Sequence, residues 1–342
     1  MKAVVYSRTG GPDVLRLVDR PAPVAGFGEV LVRVAVSGVN PTDWKSRRGN
    51  GPGEPAAFPE VVPDQDGAGT VVAVGPGVDG SRVGERVWIW QAAHGRPDGT
   101  AQELIALPGA QAVPLPPGAS ADLGASLGIP ALTAHRCLTV GREGSDRIGP
   151  GSHRGRPVLV AGGAGAVGHA AIELAVWAGA TVVATVSSPS KARLARAAGA
   201  HHVVDYRGED PAGAIREAAP AGVELVVEVA PHANLGLDRS VLAPNGTIAV
   251  YGSDGDHLAV PIRPSMVENT CYQFVLVYSI PEEAKRRAVA DVASAVAAGA
   301  LRVGEDAGLP LHRFPLGRTA DAHAAVESNA VGKVLVDVGT AW

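Results

Sequence analysis

Pro157-Val158-Leu159-Val160-Ala161-Gly162-Gly163-Ala164-Gly165-Ala166-Val167-Gly168 is the stretch on which the fold turns. Its first four residues read as a short buried strand, and Gly163 to Gly168 match the GxGxxG pattern. With 44 glycines in the chain, such spacing arises by chance on the order of once, so the glycines alone are a weak signal. Context strengthens it. An apolar strand runs into the glycines and an apolar helix, Ala170 to Ala178, leaves them. Glycines so placed let the backbone approach a pyrophosphate at a helix N-terminus, and a dinucleotide is the expected ligand.

Outward from this loop the same unit repeats. Thr181 to Val186, His202 to Val204, Leu225 to Val229, Gly246 to Tyr251 and Cys271 to Tyr278 read as strands, with helices over Lys191 to Ala198 and Ala212 to Ala219. Alternation of this length predicts an α/β, doubly wound parallel sheet with right-handed crossovers over residues 128–280. Residues 1–127 have a different texture: short runs such as Glu29 to Val34 and Gly69 to Val74 lie between turn residues and predict an irregular β domain. The alanine-rich helix Glu282 to Ala298 and a strand near Val334 to Val338 form a tail too small to fold alone, so 281–342 is expected to return to the first domain. Gly141 to Arg156, rich in glycine, serine and arginine without periodicity, reads as an exposed loop.

Composition narrows the class. At 342 residues two domains are the default, and 46% hydrophobic with 19% charged residues is an ordinary globular balance. No apolar run approaches the roughly 20 residues that span a bilayer, and the N-terminal residues lack a secretory stretch, so a cytoplasmic protein is expected. Two cysteines, Cys137 and Cys271, cannot form a disulfide framework or a four-thiolate zinc site. A net charge of −4 carries no footprint for nucleic acid or an anionic membrane.

The end of the second strand selects the dinucleotide. An NAD enzyme places a carboxylate roughly 20 residues past the glycine motif to hold the ribose hydroxyls. This chain instead reads Thr185-Val186-Ser187-Ser188-Pro189-Ser190-Lys191. Hydroxyls and an ammonium suit a 2′-phosphate that a carboxylate would repel, which favours NADPH. A single lysine in a first helical turn is ordinarily just solvated. Here, however, lysine is scarce: Lys2, Lys45, Lys191, Lys285 and Lys333 are the five among 30 basic residues.

These residues bring a family into view. Gly10-Gly11-Pro12 with Val14-Leu15, Gly38-Val39-Asn40-Pro41, Asp66-Gly67-Ala68-Gly69, Gly128-Ile129-Pro130-Ala131-Leu132-Thr133-Ala134, the glycine loop, Glu228 through Asn234-Leu235, and Gly332-Lys333 resemble the zeta-crystallin-like quinone oxidoreductases of the medium-chain dehydrogenase/reductase superfamily over nearly the whole length. The resemblance implies a GroES-like β domain plus a Rossmann domain, with a cofactor cleft between them. It assigns Ala164, Gly165, Ala166 and Val167 to the pyrophosphate, and Ser187, Lys191 and Tyr206 to the adenosine ribose phosphate. Asn234, Tyr251, Gly252, Ser253, Val275, Leu276 and Val277 fall on the nicotinamide side, and Lys333 would reach the cofactor from the C-terminal segment. Asn40 is the signature residue near nicotinamide or substrate carbonyl, with Asp43 nearby and Thr133 across the cleft.

Zinc alcohol dehydrogenases share the implied fold, but where they carry a cysteine ligand this chain has Asn40, and where they carry Gly-His-Glu it has Asp64-Gln65-Asp66. No metal is expected. One departure bears on substrate: the quinone reductase pattern has a tyrosine where this chain has Lys45, and a lysine there resembles some enone reductases of the superfamily. The expected activity is therefore hydride transfer from NADPH to a quinone or another conjugated carbonyl, with an enone or enoyl-thioester reductase as the alternative, and an RNA-binding or structural protein as the alternative of another class. Asn40, Lys45 and Thr133 are the expected catalytic residues. Trp88 and Trp90 are candidates to stack on a planar quinone, with at least one of them expected in the core. An edge strand over Tyr272 to Tyr278 would pair two copies into a homodimer.

Overall fold

The computed structural model describes residues 1–141, 145–253 and 255–339. Its chain forms two compact units, Met1–Ile129 with the segment from Pro310 onward, and Pro130–Leu309.

In the first unit, β1 (Lys2–Val5) and β2 (Arg16–Asp19) pair as a small antiparallel sheet. The main sheet is built on the long strand β3 (Glu29–Val39), which leads through Asn40 into α1 (Pro41–Arg48). Around it lie β4 (Asp66–Val74), β5 (Arg86–Ile89), β6 (Leu104–Pro108) and β7 (Ala112–Pro114). Alternation along β3 turns Val30, Val32 and Val34 inward onto Val71, Val87, Ile89, Ile105 and Leu107, all essentially inaccessible. Helix α2 (Ala121–Leu138) follows, and the boundary between the units falls within it at Ile129–Pro130.

The second unit begins with β8 (Pro157–Ala161), the glycine loop and α3 (Ala166–Trp177). Then come β9 (Thr181–Val186), α4 (Pro189–Ala197), β10 (His202–Asp205), α5 (Pro211–Ala218), β11 (Val223–Glu228), α6 (Pro231–Val241), β12 (Leu242–Val250), α7 (Ile262–Glu268), β13 (Cys271–Phe274) and α8 (Glu282–Ala297). Local chemistry fixes the helix starts: Ser188 caps α4 and Asp210 caps α5, each followed by a proline at the first helical position. The six strands pair in the order β10-β9-β8-β11-β12-β13, all parallel. The order reverses direction between β8 and β11, which makes their carboxyl ends the topological switch point. The chain then returns to the first unit, where β14 (Leu311–Pro315), α9 (Thr319–Glu327) and β15 (Lys333–Asp337) complete the main sheet against β3.

Three expectations change. Helix α8 groups with the second unit, so the boundary expected near 281 lies at Leu309–Pro310. The reason is a buried carboxylate: Asp291 on α8 bonds His135 Nε2 at 2.8 Å, Arg147 Nε at 2.8 Å and the Ile148 amide at 2.8 Å. The same residue corrects the loop. Ile148 and His153 are buried in the segment that reads as exposed, and His153 Nε2 bonds the Leu138 carbonyl at 2.9 Å; residues 142–144 of that segment lie outside the described residues. Finally, Cys271–Phe274 is a shorter strand than expected, although Val275 still donates to the Val250 carbonyl at 2.8 Å. No helix among the described residues is long and apolar enough to cross a membrane.

Candidate active site

Each glycine of the motif has a different neighbourhood. A Cβ on Gly163 would meet the Ala184 methyl at 2.9 Å, and one on Gly168 would meet the Gly162 carbonyl oxygen at 2.4 Å, so these two permit close strand–loop–helix packing. Gly162 takes φ +67°, where a side chain is strained. Gly165, the N-cap of α3, is exposed and would meet only the Gly162 oxygen at 3.5 Å. The middle glycine thus leaves open the ground above the first amides of α3, the place a diphosphate requires.

At the end of β9, Lys191 Nζ donates to Ser187 Oγ at 3.2 Å. Ser188 is consumed as the cap of α4, accepting from the Lys191 amide at 3.3 Å. The Tyr206 amide bonds the Val186 carbonyl at 3.1 Å, which brings this half-exposed ring to the same corner. Arg207, which the sequence reading passes over, stands over that ring at 5.8 Å. At the end of β11, Glu228 is fully buried and accepts from the Asn234 amide Nδ2 at 3.0 Å and from the Ala230 backbone N–H. Tyr251 follows β12, its amide bonded to the Glu228 carbonyl at 2.9 Å, and burial, then Cys137 and Glu228, push its phenol well above the usual range. A Cβ on Gly252 would lie 2.2 Å from the Val229 carbonyl oxygen, while Ser253 is exposed and its hydroxyl bonds the Gly255 carbonyl. Past β13, Val275 and Val277 are buried and Leu276 is 56% exposed. All these residues sit at the carboxyl ends of neighbouring parallel strands.

The first unit holds a second cluster. Asn40 and Lys333 are 2% and 1% exposed, and Lys333 Nζ donates to Asn40 Oδ1 at 2.7 Å. Asn40 Nδ2 donates to Asp66 Oδ2 at 2.8 Å, and its backbone N–H to Asp43 Oδ2 at 2.6 Å, closing the first turn of α1. Asp66 also takes the Ile129 amide at 2.9 Å, and Asp64 takes Ser37 Oγ and His323 Nε2, both at 2.9 Å. Burial, reinforced by Asp64 and Asp66, holds the Asp43 carboxyl well above the carboxylate range. Burial likewise lowers the Lys333 ammonium, opposed by Asp66 and Asp43. Tyr6, beside the same acids, is pushed up to about 12 by burial first and their charge second. Burial raises the Asp66 carboxyl too, opposed by Lys333, the Asn40 amide and the Ile129 N–H, so of the two Asp43 is the better proton holder.

Profiles of two protein families match the chain: the alcohol dehydrogenase GroES-like domain over residues 26–117 and the zinc-binding dehydrogenase over 166–294. A quinone oxidoreductase of Lama guanicoe is 28% identical over 342 residues, covering 98% of this chain and 97% of its own. Among solved structures, a mycobacterial protein complexed with NADPH superposes with a TM-score of 0.80 at 30% identity, over 98% of this chain and 99% of that one. The chain belongs to the quinone oxidoreductase family of medium-chain dehydrogenases/reductases. An NAD-dependent alcohol dehydrogenase has the same fold at a TM-score of 0.84 and 28% identity, over 99% of this chain and 100% of that one.

Within this quinone oxidoreductase framework, the expected residues separate into distinct settings. Lys45 lies on the exposed side of α1, 5.8 Å over the Trp44 ring, outside the Lys333 network. Thr133 is buried in α2. Trp88 is fully buried and Trp90, 7% exposed, donates to the Ala110 carbonyl at 3.2 Å, so both belong to the first unit's interior and neither presents a face to a quinone. Sequence reasoning missed Asp238, buried on α6 beside Glu228. Its spacing of four residues from Asn234 was the available signal.

Proposed function

We propose that this protein is an NADPH-dependent oxidoreductase that delivers hydride to a quinone or another conjugated carbonyl without a metal. The observation that carries the cofactor choice is the Ser187–Lys191 pair at the end of β9, a hydroxyl and an ammonium held together where an NAD enzyme has a carboxylate. Ala164 to Val167 cradle the pyrophosphate, Lys191 and Ser187 hold the 2′-phosphate, and Tyr206 lies along the adenosine. Asn234, Tyr251 to Ser253 and Val275 to Val277 border the nicotinamide. NADPH supplies the hydride, and the chain supplies position and charge.

Asn40, Lys45 and Thr133 are proposed on the substrate side, and Lys333 is proposed to reach the cofactor from the C-terminal segment. Asn40 spends its amide on Lys333 and Asp66, so it acts as scaffold, and the exposed Lys45 ammonium is the donor for the developing oxyanion. The metal-free reading is supported by Lys333, whose positive charge already contacts Asn40 at 2.7 Å and Asp66 at 3.5 Å. Lys45 also favours a second reading, an enone or enoyl-thioester reductase that accepts hydride at carbon.

A fluorescence titration with NADPH and NADH on wild type and Lys191→Ala tests the cofactor assignment. A charge-assisted contact is worth about 1.5–3 kcal/mol, so the variant should bind NADPH roughly 10- to 100-fold more weakly with NADH little changed. Equal loss of both nucleotides would remove Lys191 from its role, and absence of any binding would return the RNA-binding or structural reading. Turnover on paired quinone and enone substrates then separates the two reductases.

A further inference from the structure

Glu228 and Asp238 form a buried pair of carboxyls that the reading above leaves without a task. Their relative exposures are 0% and 1%. Glu228 has its donors, the Ala230 amide and Asn234 Nδ2. Asp238 Oδ2 is sealed from solvent with no partner, and the Asp238 carboxyl lies against Glu228, near enough for each to shift the other's titration. Ionised carboxylates only accept hydrogen bonds, so a bond between two of them requires a proton.

The pair's location gives that proton a consequence. Glu228 ends β11 at the switch point, and the next residue, Val229, is wedged between two glycines. A Cβ on Gly162 would meet Val229 Cγ1 at 3.1 Å, and one on Gly252 would meet the Val229 carbonyl oxygen at 2.2 Å. Asn234 and Asp238, one turn apart on α6, both hold Glu228 from the helix side. We propose that Glu228 and Asp238 share one proton, and that this proton positions the Val229–Asn234 turn against Gly162 and Gly252 for binding of the nicotinamide half of the cofactor. The inference rests on the NADPH reading for its ligand, but the shared proton can be observed without any ligand.

The elements packed around the pair carry several ionisable groups. Tyr251 faces Glu228 from the end of β12, with Cys137 of α2 behind it. On α5, Arg216 bonds the Ser240 carbonyl, and on α6, Arg239 pairs with Glu268 of α7. Burial, and then Glu228, push Asp238 up to about 9. The pair therefore keeps its proton at neutral pH and loses it on the alkaline side, where two adjacent buried anions repel. If only the protonated pair holds the turn, NADPH affinity falls by about tenfold per pH unit above that point.

The experiment is a titration of NADPH from pH 6 to 10 on wild type, Asp238→Asn and Glu228→Gln, with circular dichroism confirming the fold at each pH. Asparagine donates the same hydrogen bond to Glu228 without titrating, so Asp238→Asn should lose the alkaline limb that wild type shows. Glu228→Gln should lose it as well, because one carboxyl then remains with an amide donor beside it. Infrared spectra at pH 7, taken as wild type minus Asp238→Asn so that the contribution of Asp43 cancels, should show a protonated-carboxyl stretch from the pair. An alkaline limb unchanged in Asp238→Asn, or a wild-type affinity equal at pH 7 and 10, would overturn the positioning role. No carboxyl band would overturn the shared proton. Wild type that binds no NADPH at any pH would defeat the cofactor reading and the positioning role with it, while the band would still decide the state of the pair.

Discussion

Lys333 reverses the usual fate of a lysine. It is 1% exposed, and its ammonium is held by Asn40 Oδ1 at 2.7 Å and by Asp66 at 3.5 Å. Removing one member of a buried ion pair costs about 3–5 kcal/mol because the other charge is stranded. Lys333→Met should therefore unfold at markedly lower urea concentration at neutral pH, and Lys333→Met with Asp66→Asn should recover part of the loss; equal stability of both variants would mean that Asp66 is not the charge Lys333 offsets. The sequence singled out Lys333 through a family resemblance, but nothing in its local context announced burial, since lysine is almost never fully buried unless paired and its partners lie far away in the chain. Gly128-Ile129-Pro130 was equally visible and equally unexplained. A Cβ on Gly128 would stand 2.0 Å from Asp66 Oδ1, and the Ile129 N–H donates to that carboxylate, so the motif is the seat of Asp66. The glycine loop and Ser187–Lys191 were legible because each does its work within a few consecutive residues; Glu228–Asp238 was not, because its meaning lies in a contact between a strand end and a helix.

At the scale of elements, alternation of strand and helix in the second unit could be read from periodicity alone, with ends displaced by a few residues. Helix α6 escaped, since Pro231-His232-Ala233-Asn234-Leu235-Gly236 offers little apolar period and contains a helix-weakening glycine. The placement of α8 escaped for a different reason: it is decided by Asp291, whose partners His135 and Arg147 are remote in sequence. Burial alone would raise the Asp291 carboxyl, but the hydrogen bonds from His135, Arg147 and the Ile148 amide override it and lower it to about 2. A carboxyl depressed on folding contributes stability that is present above its unfolded value near 3.8 and disappears as pH falls through about 2. At one pKa unit per 1.36 kcal/mol, the contribution is about 2 kcal/mol. Asp291→Asn should accordingly lower the Tm at pH 7 and converge on wild type as both are acidified toward pH 2. A deficit of constant size across that range would assign the effect to packing instead of charge.

For the whole molecule, the open edge of the parallel sheet is the feature that most needs an explanation. Among the described residues, strand β13 pairs with β12 alone, and its other side is short. Around it stand large apolar side chains that a lone protein would leave in water: Phe274 is 61% exposed and Leu276 56%, and on the neighbouring helix α7 Ile262, Met266 and Val267 are between 68% and 75% exposed. Helix and strand are tied together by Ser265 Oγ and Tyr272 Oη at 3.1 Å, so the apolar residues share one local structure. An unpaired edge flanked by exposed apolar groups favours association, and a twofold pairing of β13 with its copy would satisfy both the backbone and the side chains. The expected species in light scattering after size exclusion is a homodimer. Leu276→Glu places a charge at that contact and should shift the protein toward monomer without disturbing the hydrogen-bonded part of the strand, Cys271–Phe274. A charge at the exposed Val24, which belongs to the first unit and not to this sheet, should leave the dimer intact. Because Val275 and Val277 flank Leu276 and are proposed to border the nicotinamide, the monomeric variant should also bind NADPH more weakly; a monomeric wild type, or a Leu276→Glu protein that stays dimeric, would remove β13 from the interface.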